Sequence, residues 1–578
     1  MAGDSCVVIA LDFGSTYIGY AFSHDKECRE IFTASSDGYK ERIPNAVLLN
    51  TNKDLDCIGE AAKRKYADMT ENGTHRTWFY FEWYKTVLHK TENLTRDLEV
   101  FDSQGRPISG MLLFGMVIQY MKRQAENQIV QALVGIQIEK IKWVLTVPAI
   151  WSDSAKQFMR EAAYRAGIDA ENLKLVLEPE AAAAHCLNKP MCVVVKQSGG
   201  TQYEKFHPGQ KYILADLGGG TADICIHEVI EDDKVREIHR AIGDITGGND
   251  VNISFEQLFV KLFGAPTWMK FKTEYMDEYV DLMSNFETKK REFEASSLDT
   301  DETIIRIPVG LQDAIREEYN ASFADVLQDT TYVDRIHYRR NKMILKHSVM
   351  EELFQRTVQS IIEKLQNLLQ DMVAIGEFIS VLVMVGGFSE SKYVRQRVQA
   401  EMQGVRVIYP PDGSLAVMKG AVKMGFRRQN PVIKERRAQF TYGFSVCERF
   451  IPGLHPESFK YTFDGKDWCE GIFKKLIEKG SLLRQDATFG FFSQNAFFQE
   501  ESKTCPVSYR VYKSKRENPL FCSDDCIQIG EVIVYPPANG WPDLVSIEIL
   551  LIVGETEFLV KVSNFSTKER YTAKLDFL

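Results

Sequence analysis

Two short stretches of the chain each place an aspartate after an apolar run and follow it with small residues. Residues 7–16 contain Asp12, and residues 212–221 contain Asp216. Glycine lets such a turn bend sharply and approach a ligand without a Cβ in the way, so that backbone N–H groups and hydroxyls can grip phosphate oxygens. Mg²⁺ prefers oxygen ligands and keeps several of its waters, which suits a hydrated ion held by the two aspartates. The pair therefore predicts a magnesium and phosphate site.

A third glycine turn follows the apolar run Val381–Val385. Gly386 and Gly387 would let a flat ring or a ribose lie against the backbone. A glycine pair alone often makes only a turn. Three elements that each combine a strand with a glycine turn, in this order, are a stronger signal, and together they predict a nucleotide site.

These turns need strands on both sides to hold them in place. Each aspartate turn is followed by another alternating apolar segment, which predicts a buried strand, a tight turn and a returning strand. Between the two copies strand and helix patterns alternate, which indicates an α/β architecture. The longer apolar stripes at helical spacing are typical of core-packed helices. The predicted strands are 18–22, 143–147, 175–177 and 224–226, and the predicted helices are 110–133, 154–166, 180–187, 275–293 and 350–370.

The composition changes near residue 427. Residues 427–437 are charged and contain Pro431, and the chain beyond them is rich in Phe, Tyr, Val, Ser and Thr. Alternating apolar segments separated by turn clusters predict an antiparallel β domain there. We therefore predict a nucleotide-binding domain at 1–426, a basic linker at 427–437 and a β-rich substrate-binding or partner-binding domain at 438–578.

The bulk properties exclude several classes of protein. A chain of 578 residues is too long for one hydrophobic core. Its net charge of −10 argues against a general nucleic-acid binder. No apolar run approaches the roughly 18–20 residues of a membrane span, and the apolar start lacks the basic region of a signal peptide. We therefore expect a cytoplasmic protein without a membrane span or a nucleic-acid partner.

The turns and the segments between them resemble the nucleotide-binding signature of the 70-kDa heat-shock family over residues 6 to about 426. Within that family the chain is similar to the heat shock 70 kDa protein 12 subfamily. The resemblance implies an actin-like ATPase fold of two RNase H-like lobes around a nucleotide cleft, then a small antiparallel β domain without a helical lid. The motifs that carry it are Asp12-Phe13-Gly14-Ser15-Thr16-Tyr17, Thr146-Val147-Pro148-Ala149, Glu178-Pro179-Glu180-Ala181, Asp216-Leu217-Gly218-Gly219-Gly220-Thr221-Ala222-Asp223, Gly247-Gly248-Asn249-Asp250, Val385-Gly386-Gly387-Phe388-Ser389 and Pro411-Asp412.

The resemblance implies a role for each residue at the phosphate end. Asp12 and Asp216 would position Mg²⁺ through its waters, and Glu178 would organise the water shell and the attacking water. Lys85 would neutralise charge at the γ-phosphate, although an exposed helix lysine is the alternative interpretation. Asp223 would help to orient water. The implied phosphate contacts are Gly14, Ser15, Thr16, Tyr17, Gly218, Gly219, Gly220 and Thr221.

The adenosine end has its own matching residues. Glu287, Lys290 and Arg291 stand at positions i, i+3 and i+4 and so share one helix face. The resemblance implies that they grip the ribose and sandwich the base, and a guanidinium stacks well on a flat ring. The alternative is an ordinary solvated face. The other nucleotide-binding residues that the resemblance implies are Gly248, Gly386, Gly387, Ser389 and Asp412.

The chain departs from the family pattern where the nucleotide site would be coupled to a client. Pro148 matches the family's switch proline, but its arginine partner position carries Lys156, which keeps the charge and lacks the planar fork. The family's leucine-rich linker docks on the ATPase domain. Here residues 427–437 are basic and contain Pro431, so we expect no docking strand. Without a lid, a peptide bound to the β domain would exchange quickly.

The resemblance implies an atypical chaperone-like protein of the stress response that binds ATP or ADP with Mg²⁺ and acts as a weak ATPase. Its partners would be protein clients or adaptors at the β domain and nucleotide-exchange co-chaperones. Phosphoryl transfer needs mainly positioning and charge neutralisation, which the named groups would supply. One alternative is a nucleotide-gated scaffold or interaction protein with little or no turnover. A second alternative is a small-molecule kinase on the same superfold, which the Glu178-Pro179 and triple-glycine motifs disfavour.

Overall fold

A computed structural model gives the fold, and it divides the chain into two compact units with mixed α/β content. The first unit comprises Met1–Trp151, Phe158–Asp233 and Ala241–Val432, and the second comprises Ser152–Gln157, Lys234–Arg240 and Ile433–Leu578. No helix in the described part of the chain is both long enough and apolar enough to cross a bilayer. The structure describes residues 7–34, 42–71, 73–91, 93–133, 138–187, 192–195, 201–231, 233–296, 301–427, 431–463, 465–554, 556–566, 568, 570–574 and 577.

Two hairpins of the first unit hold the predicted aspartate turns. The N-terminal hairpin pairs Val8–Phe13 with Tyr17–Ser23, and the central hairpin pairs Lys211–Leu217 with Ala222–Glu231, both antiparallel. Their side chains are almost all buried near the turns. Burial of apolar residues on both faces therefore favours these strands over any helical alternative. The predicted sequence of strand, turn and returning strand is confirmed at both positions.

The first strand of each hairpin also has a parallel neighbour. Val8–Phe13 lies parallel to Lys142–Val147, and Lys211–Leu217 lies parallel to Val381–Val385. Because parallel strands present their carboxyl ends at the same sheet edge, the third glycine turn comes beside the Asp216 turn. In sheet order the strands of the first sheet are Leu173–Leu177, Lys142–Val147, Val8–Phe13, Tyr17–Ser23 and Phe32–Thr33, with Ile43–Pro44 also on Tyr17–Ser23. The seven-stranded second sheet includes, in this order, Arg406–Ile408, Val381–Val385, Lys211–Leu217 and Ala222–Glu231.

The helix Glu178–Cys186 places Glu178 at its first residue. It is buried along its whole length, and Pro179 in its first turn is pre-organised for helix entry. Its small side chains let the helix Ala416–Phe426 approach closely. A Cβ at Gly420 would lie 1.7 Å from the carbonyl oxygen of Ala181. Glycine is therefore required at this crossing, which holds Glu178 rigidly.

The remaining predicted helices are present, with their ends displaced by a few residues. The helix predicted at 350–370 is longer, at His347–Ala374. The helix Gly248–Glu274 is kinked at Gly264, where φ is 76° just ahead of Pro266. The other helices that the structure describes are Glu60–Glu71, Val87–Lys90, Gly110–Ala132, Asp153–Arg165, Met276–Glu292, Val309–Tyr319, Phe323–Gln328 and Lys392–Glu401, with 3₁₀ turns at Thr74–Thr77, Tyr84–Thr86, Ile138–Lys140, Phe388–Glu390 and Gly413–Leu415.

Smaller sheets complete the first unit. A three-stranded sheet in the order Leu55–Ile58, Ala46–Leu49 and Phe79–Glu82 packs on the helix Glu60–Glu71 through Ala46, Leu48, Ala62 and Tyr66. The chain leaves it directly into the turn that carries Lys85. The other small sheets are Glu302–Arg306, Lys342–Lys346 and Ile336–Arg339, then Glu99–Phe101 with Pro107–Ser109, and Cys192–Val195 with Thr201–Glu204.

The second unit contains two antiparallel sheets over one apolar core. Phe444 and Val511 from one sheet and Ile549 and Val560 from the other belong to the same buried cluster. The described helical segments after residue 437, Glu457–Phe459 and Glu500–Lys503, are single turns. In sheet order the strands are Lys460–Phe463, Lys466–Ile477, Thr441–Arg449, Val507–Ser514 and Cys526–Val534, and Thr488–Ala496, Leu544–Val553, Phe558–Asn564 and Arg570–Lys574.

Lys156, at the position of the family's arginine, also belongs to the second unit. Its Nζ lies 3.9 Å from Asp153 Oδ1, and Asp153 Oδ2 accepts a hydrogen bond of 3.0 Å from Lys513. One carboxylate therefore faces two ammonium groups. Lys156 can face the Asp153 carboxylate as a point charge beside Lys513. A bidentate pair with that carboxylate would need the planar guanidinium of arginine, which lysine lacks.

The segment predicted as a basic linker contains a strand. Ile433–Arg437 lies parallel to the start of Lys234–Asp244, with Val235 opposite Ile433, and antiparallel to Leu482–Arg484. Pro431 precedes the strand, so its missing N–H does not interrupt the ladder. The stretch predicted as a linker therefore contains a paired strand, and the absence of the family's docking strand stays a prediction. Residues 428–430 of the predicted linker lie outside the described residues.

Candidate functional site

A cavity of about 490 Å³ lies where the two aspartate turns, the start of the Glu178 helix and the third glycine turn meet. The volume is within the range of small-molecule sites. The predicted residues that line it are Asp12, Gly14, Ser15, Thr16, Tyr17, Lys85, Glu178, Asp216, Gly218, Gly219, Gly220, Thr221, Gly248, Glu287, Lys290, Arg291, Gly386 and Gly387. The lining residues outside the prediction are Arg42, Trp83, Asn249, Asn252, Phe388, Glu390, Ser391, Ser414, Leu415 and Val417.

The two aspartate turns touch each other at the floor of the cavity. A Cβ at Gly219 would lie 1.8 Å from Thr16 Oγ1, and a Cβ at Gly220 would lie 2.8 Å from Ser15 Cβ. Larger residues at the triple glycine would therefore push the turns apart. Thr16 Oγ1 is buried and has no hydrogen-bond partner within the described part of the chain. A buried hydroxyl without a partner is costly, so this donor fits a ligand oxygen such as that of a phosphate.

Acidic side chains crowd the same end of the cavity. Burial, and then the neighbouring carboxylates of Glu178, Asp223 and Asp12, raise the pKa of Asp216 well above its usual range. Burial also raises the pKa of Glu178 to about 7. The Lys85 cation lowers this pKa, whereas the carboxylates of Asp223 and Asp12 raise it further. So many carboxylates in one buried place disfavour full ionisation. The donor set therefore fits a divalent cation, which would neutralise them.

The described side chains do not form a direct metal centre. Among the residues that the structure describes, no group of three or more His, Cys, Asp or Glu side chains is arranged to hold a metal ion. Asp12 is fixed by Thr146, whose Oγ1 donates a hydrogen bond of 2.8 Å to its Oδ1. The water-mediated role of Asp12 and Asp216 stays a prediction.

Lys85 is a buried cation at the acidic end. Only 3% of it is exposed, and its Nζ donates a hydrogen bond of 3.0 Å to Glu178 Oε1. The ammonium also lies 4.9 Å from the ring centroid of Trp151, a favourable position for a cation. The alternative of an exposed helix lysine is therefore wrong, because the side chain is held inside the cavity.

The helix Met276–Glu292 supplies the other end of the cavity. Glu287 accepts hydrogen bonds from both Lys290 and Arg291, as their shared face predicts. Lys290 Nζ also donates to the carbonyl oxygen of Gly248 at 3.0 Å, and Arg291 Nη2 donates to the Tyr17 hydroxyl at 2.9 Å. Tyr17 thus contacts the helix that is predicted to face adenine, in addition to lining the cavity at the Asp12 turn.

Three predicted residues do not line the cavity. Asp223 is fully buried beneath it, where Oδ1 accepts backbone hydrogen bonds from Ala149 at 3.1 Å and Ile150 at 3.4 Å. Ser389 Oγ donates to the carbonyl oxygen of Gly386 at 2.7 Å, and Asp412 accepts from Lys419 at 2.9 Å. Asp223 and Ser389 are therefore buried beside the cavity, whereas Asp412 is exposed.

Arg42 and Trp83 are among the lining residues that fall outside the motifs. Arg42 directly precedes the short strand Ile43–Pro44, and Trp83 stands two residues before Lys85 with φ of 59°. Arg42 reaches the cavity only because Ile43 pairs with Ile18 of the N-terminal hairpin. Trp83 occupies a left-handed conformation that is strained for a bulky residue. No local sequence pattern marks either position, because both depend on pairings that are distant along the chain.

The third glycine turn leads to a sharp prediction. At Gly386 φ is 85°, and a Cβ there would lie 2.4 Å from Asp216 Oδ1 and 2.5 Å from the carbonyl oxygen of Leu217. We expect Gly386→Ala to lower nucleotide affinity at least about tenfold, because strain of about 1–3 kcal/mol would be relieved by moving Asp216. Isothermal titration calorimetry with ADP measures this.

Gly376→Ala is the matched control for that change. Gly376 has a similar φ of 77°, but an added Cβ would meet no atom within 4 Å. We expect this variant to bear only the left-handed cost of about 1–2 kcal/mol and to keep its nucleotide affinity. Equal affinities for the two variants would contradict the role of Gly386.

Comparisons with known proteins add to this geometry. The model of the Hsp70 protein family matches residues 8–422, a range that includes every residue lining the cavity. Heat shock 70 kDa protein 12A of Homo sapiens is 30% identical over 99% of this chain and 91% of its own length. Heat shock 70 kDa protein 12B of Homo sapiens is 28% identical over the same shares. Chaperone protein DnaK of Stenotrophomonas maltophilia is 23% identical over 89% of this chain and 70% of its own length.

Proposed function

We propose that this chain, which belongs to the Hsp70 family, binds ATP or ADP with Mg²⁺ in the cavity and hydrolyses ATP slowly. The resemblance to that family and to the protein 12 subfamily is confirmed. The observation that carries the proposal is the convergence of Asp12, Glu178 and Asp216 with Lys85 in one cavity. Its opposite end holds the paired charges of the helix Met276–Glu292. A charged end and a ring-binding end are what a nucleotide requires.

Each side chain of the cavity has its own role in the proposed reaction. A bound magnesium nucleotide supplies the reacting phosphoryl group and a divalent cation. Asp12 and Asp216 would orient that cation through its waters, and Thr16 Oγ1 with the backbone N–H groups of the glycine turns would hold phosphate oxygens. Lys85 places positive charge where negative charge develops, and Glu178 accepts from Lys85 while orienting a water. Positioning and charge neutralisation are the main requirements of phosphoryl transfer.

We also propose a domain organisation and classes of partner for this chain. We place an actin-like nucleotide-binding domain of two RNase H-like lobes at 1–426, a linker at 427–437 and a partner-binding β domain at 438–578. Support comes from the Hsp70 match at 8–422 and from the antiparallel sheets after residue 437. Nucleotide state would be coupled to protein clients or adaptors at the β domain. The setting we propose is a chaperone-like role in the cytoplasm during the stress response, with nucleotide-exchange co-chaperones as further partners.

Single-turnover hydrolysis of radiolabelled ATP tests the proposed activity. We expect the wild-type chain to release inorganic phosphate at least about 100-fold faster than Asp12→Asn, because removing one preorganised electrostatic group at a reaction centre costs about that much. Equilibrium binding of ADP is measured in parallel, so that a lost activity is not mistaken for a lost ligand.

Each other outcome favours one alternative. ADP binding with equal, near-zero hydrolysis in both proteins would support a nucleotide-gated scaffold. ADP formation without free phosphate, and with label on a sugar or polyol, would support a small-molecule kinase. If neither ATP nor ADP binds, the nucleotide proposal itself fails.

A further inference from the structure

Among the described residues, four cationic side chains line the cavity, and three of them are neutralised by a carboxylate. Lys85 pairs with Glu178 at 3.0 Å. Lys290 and Arg291 both pair with Glu287. Arg42 differs from them, because in the described part of the chain no carboxylate lies within 4.0 Å of its guanidinium. Arg42 therefore lines the cavity as a cation that has no salt-bridge partner among the described residues.

The position of Arg42 is set by two different parts of the structure. Its backbone is fixed where Ile43 and Pro44 pair with Ile18 and Tyr17 of the N-terminal hairpin. Its side chain reaches the third glycine turn, since a Cβ at Gly387 would lie 3.2 Å from Nη1. The guanidinium therefore lies beside the turn that is proposed to hold the sugar.

Arg42 is also close to the acidic end. Both Arg42 and Asp216 line the cavity. Gly386, which directly precedes Gly387, lies close to Asp216, since a Cβ at Gly386 would lie 2.4 Å from Asp216 Oδ1. The guanidinium thus lies between the groups proposed to hold the metal and those proposed to hold the ribose. In a nucleotide, the segment between these two ends is the α and β phosphates.

The hydrogen-bonding state of Arg42 supports a ligand at this point. The side chain is half-buried, and its Nε is buried without a hydrogen-bond partner among the described residues. A buried N–H without an acceptor costs about 1–3 kcal/mol. A guanidinium presents its N–H groups as a planar fork that matches phosphate oxygens. A phosphate between the two ends would satisfy both the charge and the orphaned donor.

We propose that Arg42 is a phosphate-binding residue that grips the α and β phosphates of the nucleotide. The inference rests on the proposed function and adds a contact that the glycine and aspartate motifs do not contain. Because ADP keeps both phosphates and adenosine has neither, Arg42 contributes to the binding of ADP and not to that of adenosine.

Calorimetric titration of the full chain with ADP and with adenosine, in the presence of Mg²⁺, tests this assignment. We expect Arg42→Gln to weaken ADP binding by about 10–100-fold, the effect of losing charge-assisted hydrogen bonds, and to leave adenosine binding unchanged. Arg42→Lys recovers part of the loss, since lysine keeps the charge without the fork. Arg123→Gln, an exposed change outside the cavity, controls for net charge and keeps both affinities.

The outcomes separate this inference from the proposed function. If the wild-type chain binds ADP and Arg42→Gln binds it equally well, the assignment of Arg42 is overturned. Equal weakening of ADP and adenosine would also overturn it, because Arg42 would then only support the fold of the cavity. If the wild-type chain binds no nucleotide, the proposed function fails first.

Discussion

Replacing Asp216 with asparagine is expected to stop ATP hydrolysis and also to raise the melting temperature of the nucleotide-free protein. The carboxyl is buried at the end of the strand Lys211–Leu217 and faces Glu178, Asp223 and Asp12. Asparagine keeps the size of the side chain and removes the charge that this environment disfavours. The negative charge of Asp216 is thus compensated only when a cation is bound, and without a cation it destabilises the folded protein.

The pH dependence follows from the direction of the pKa shift. Because the folded pKa of Asp216 is raised, the folded state keeps a proton that the unfolded chain releases. The contribution of that proton to the free energy of unfolding is fully present below the pKa of the unfolded chain. It is lost as the pH rises through the pKa of the folded state. Burial likewise raises the pKa of Asp223 to about 6, so the wild-type protein should lose stability between about pH 4 and pH 7. The advantage of Asp216→Asn should therefore grow with pH.

Thermal melting at pH 5 and pH 8, without nucleotide, measures this advantage. At pH 8 we expect Asp216→Asn to melt about 2 °C or more above wild type, and at pH 5 we expect a smaller difference. The size follows because about 1 kcal/mol shifts the melting temperature of domains of 150–250 residues by about 2–4 °C. Asp97→Asn, in an exposed turn, changes the charge equally and should leave the melting curve unchanged. A variant that melts below wild type at pH 8 would contradict the proposed charge crowding, and one that hydrolyses ATP normally would contradict the role of Asp216.

The aspartate turns could be predicted from the sequence because their signal is local. An apolar run that meets Asp12 or Asp216 and then glycine predicts a strand and a turn without any knowledge of the partners. The shared face of Glu287, Lys290 and Arg291 is also a local property of helical spacing. Their contacts in the structure follow that spacing.

The missed features depend on pairings between distant segments. Arg42 faces the cavity because Ile43 pairs with Ile18, and register across a loop is not written in either segment alone. The strand Ile433–Arg437 was missed for a related reason. Its charged residues and Pro431 disfavour a strand locally, but its partners Lys234–Asp244 and Leu482–Arg484 supply a ladder on both sides. Tertiary pairing outweighs local propensity in such a segment.

Replacing Lys85 with methionine is expected to lower ATP turnover by about 100–1,000-fold while ADP still binds. Lys85 is nearly as buried as a core residue and places its ammonium 3.0 Å from Glu178 Oε1. A charge held there in a low-dielectric site costs no reorganisation when negative charge develops on the substrate, which is why loss of such a group has large kinetic effects. ADP lacks the γ-phosphate that this residue is proposed to contact, so its affinity should change little.

Lys85→Met should also reveal the coupling between Lys85 and Glu178. Lys85 is the cation that restrains the rise in the Glu178 pKa, which burial still brings to about 7. Without it, the free energy of unfolding should fall by about 3–5 kcal/mol at pH 8, because Glu178 must then either stay a buried charge without a partner or take up a proton from a solution that holds few. Stability should recover as the pH falls and Glu178 takes up a proton more easily. Adding Glu178→Gln to Lys85→Met should restore stability at pH 8 without restoring turnover. If the double variant is as unstable as Lys85→Met, the loss comes from packing around Trp151 and the assigned ion pair is not its cause.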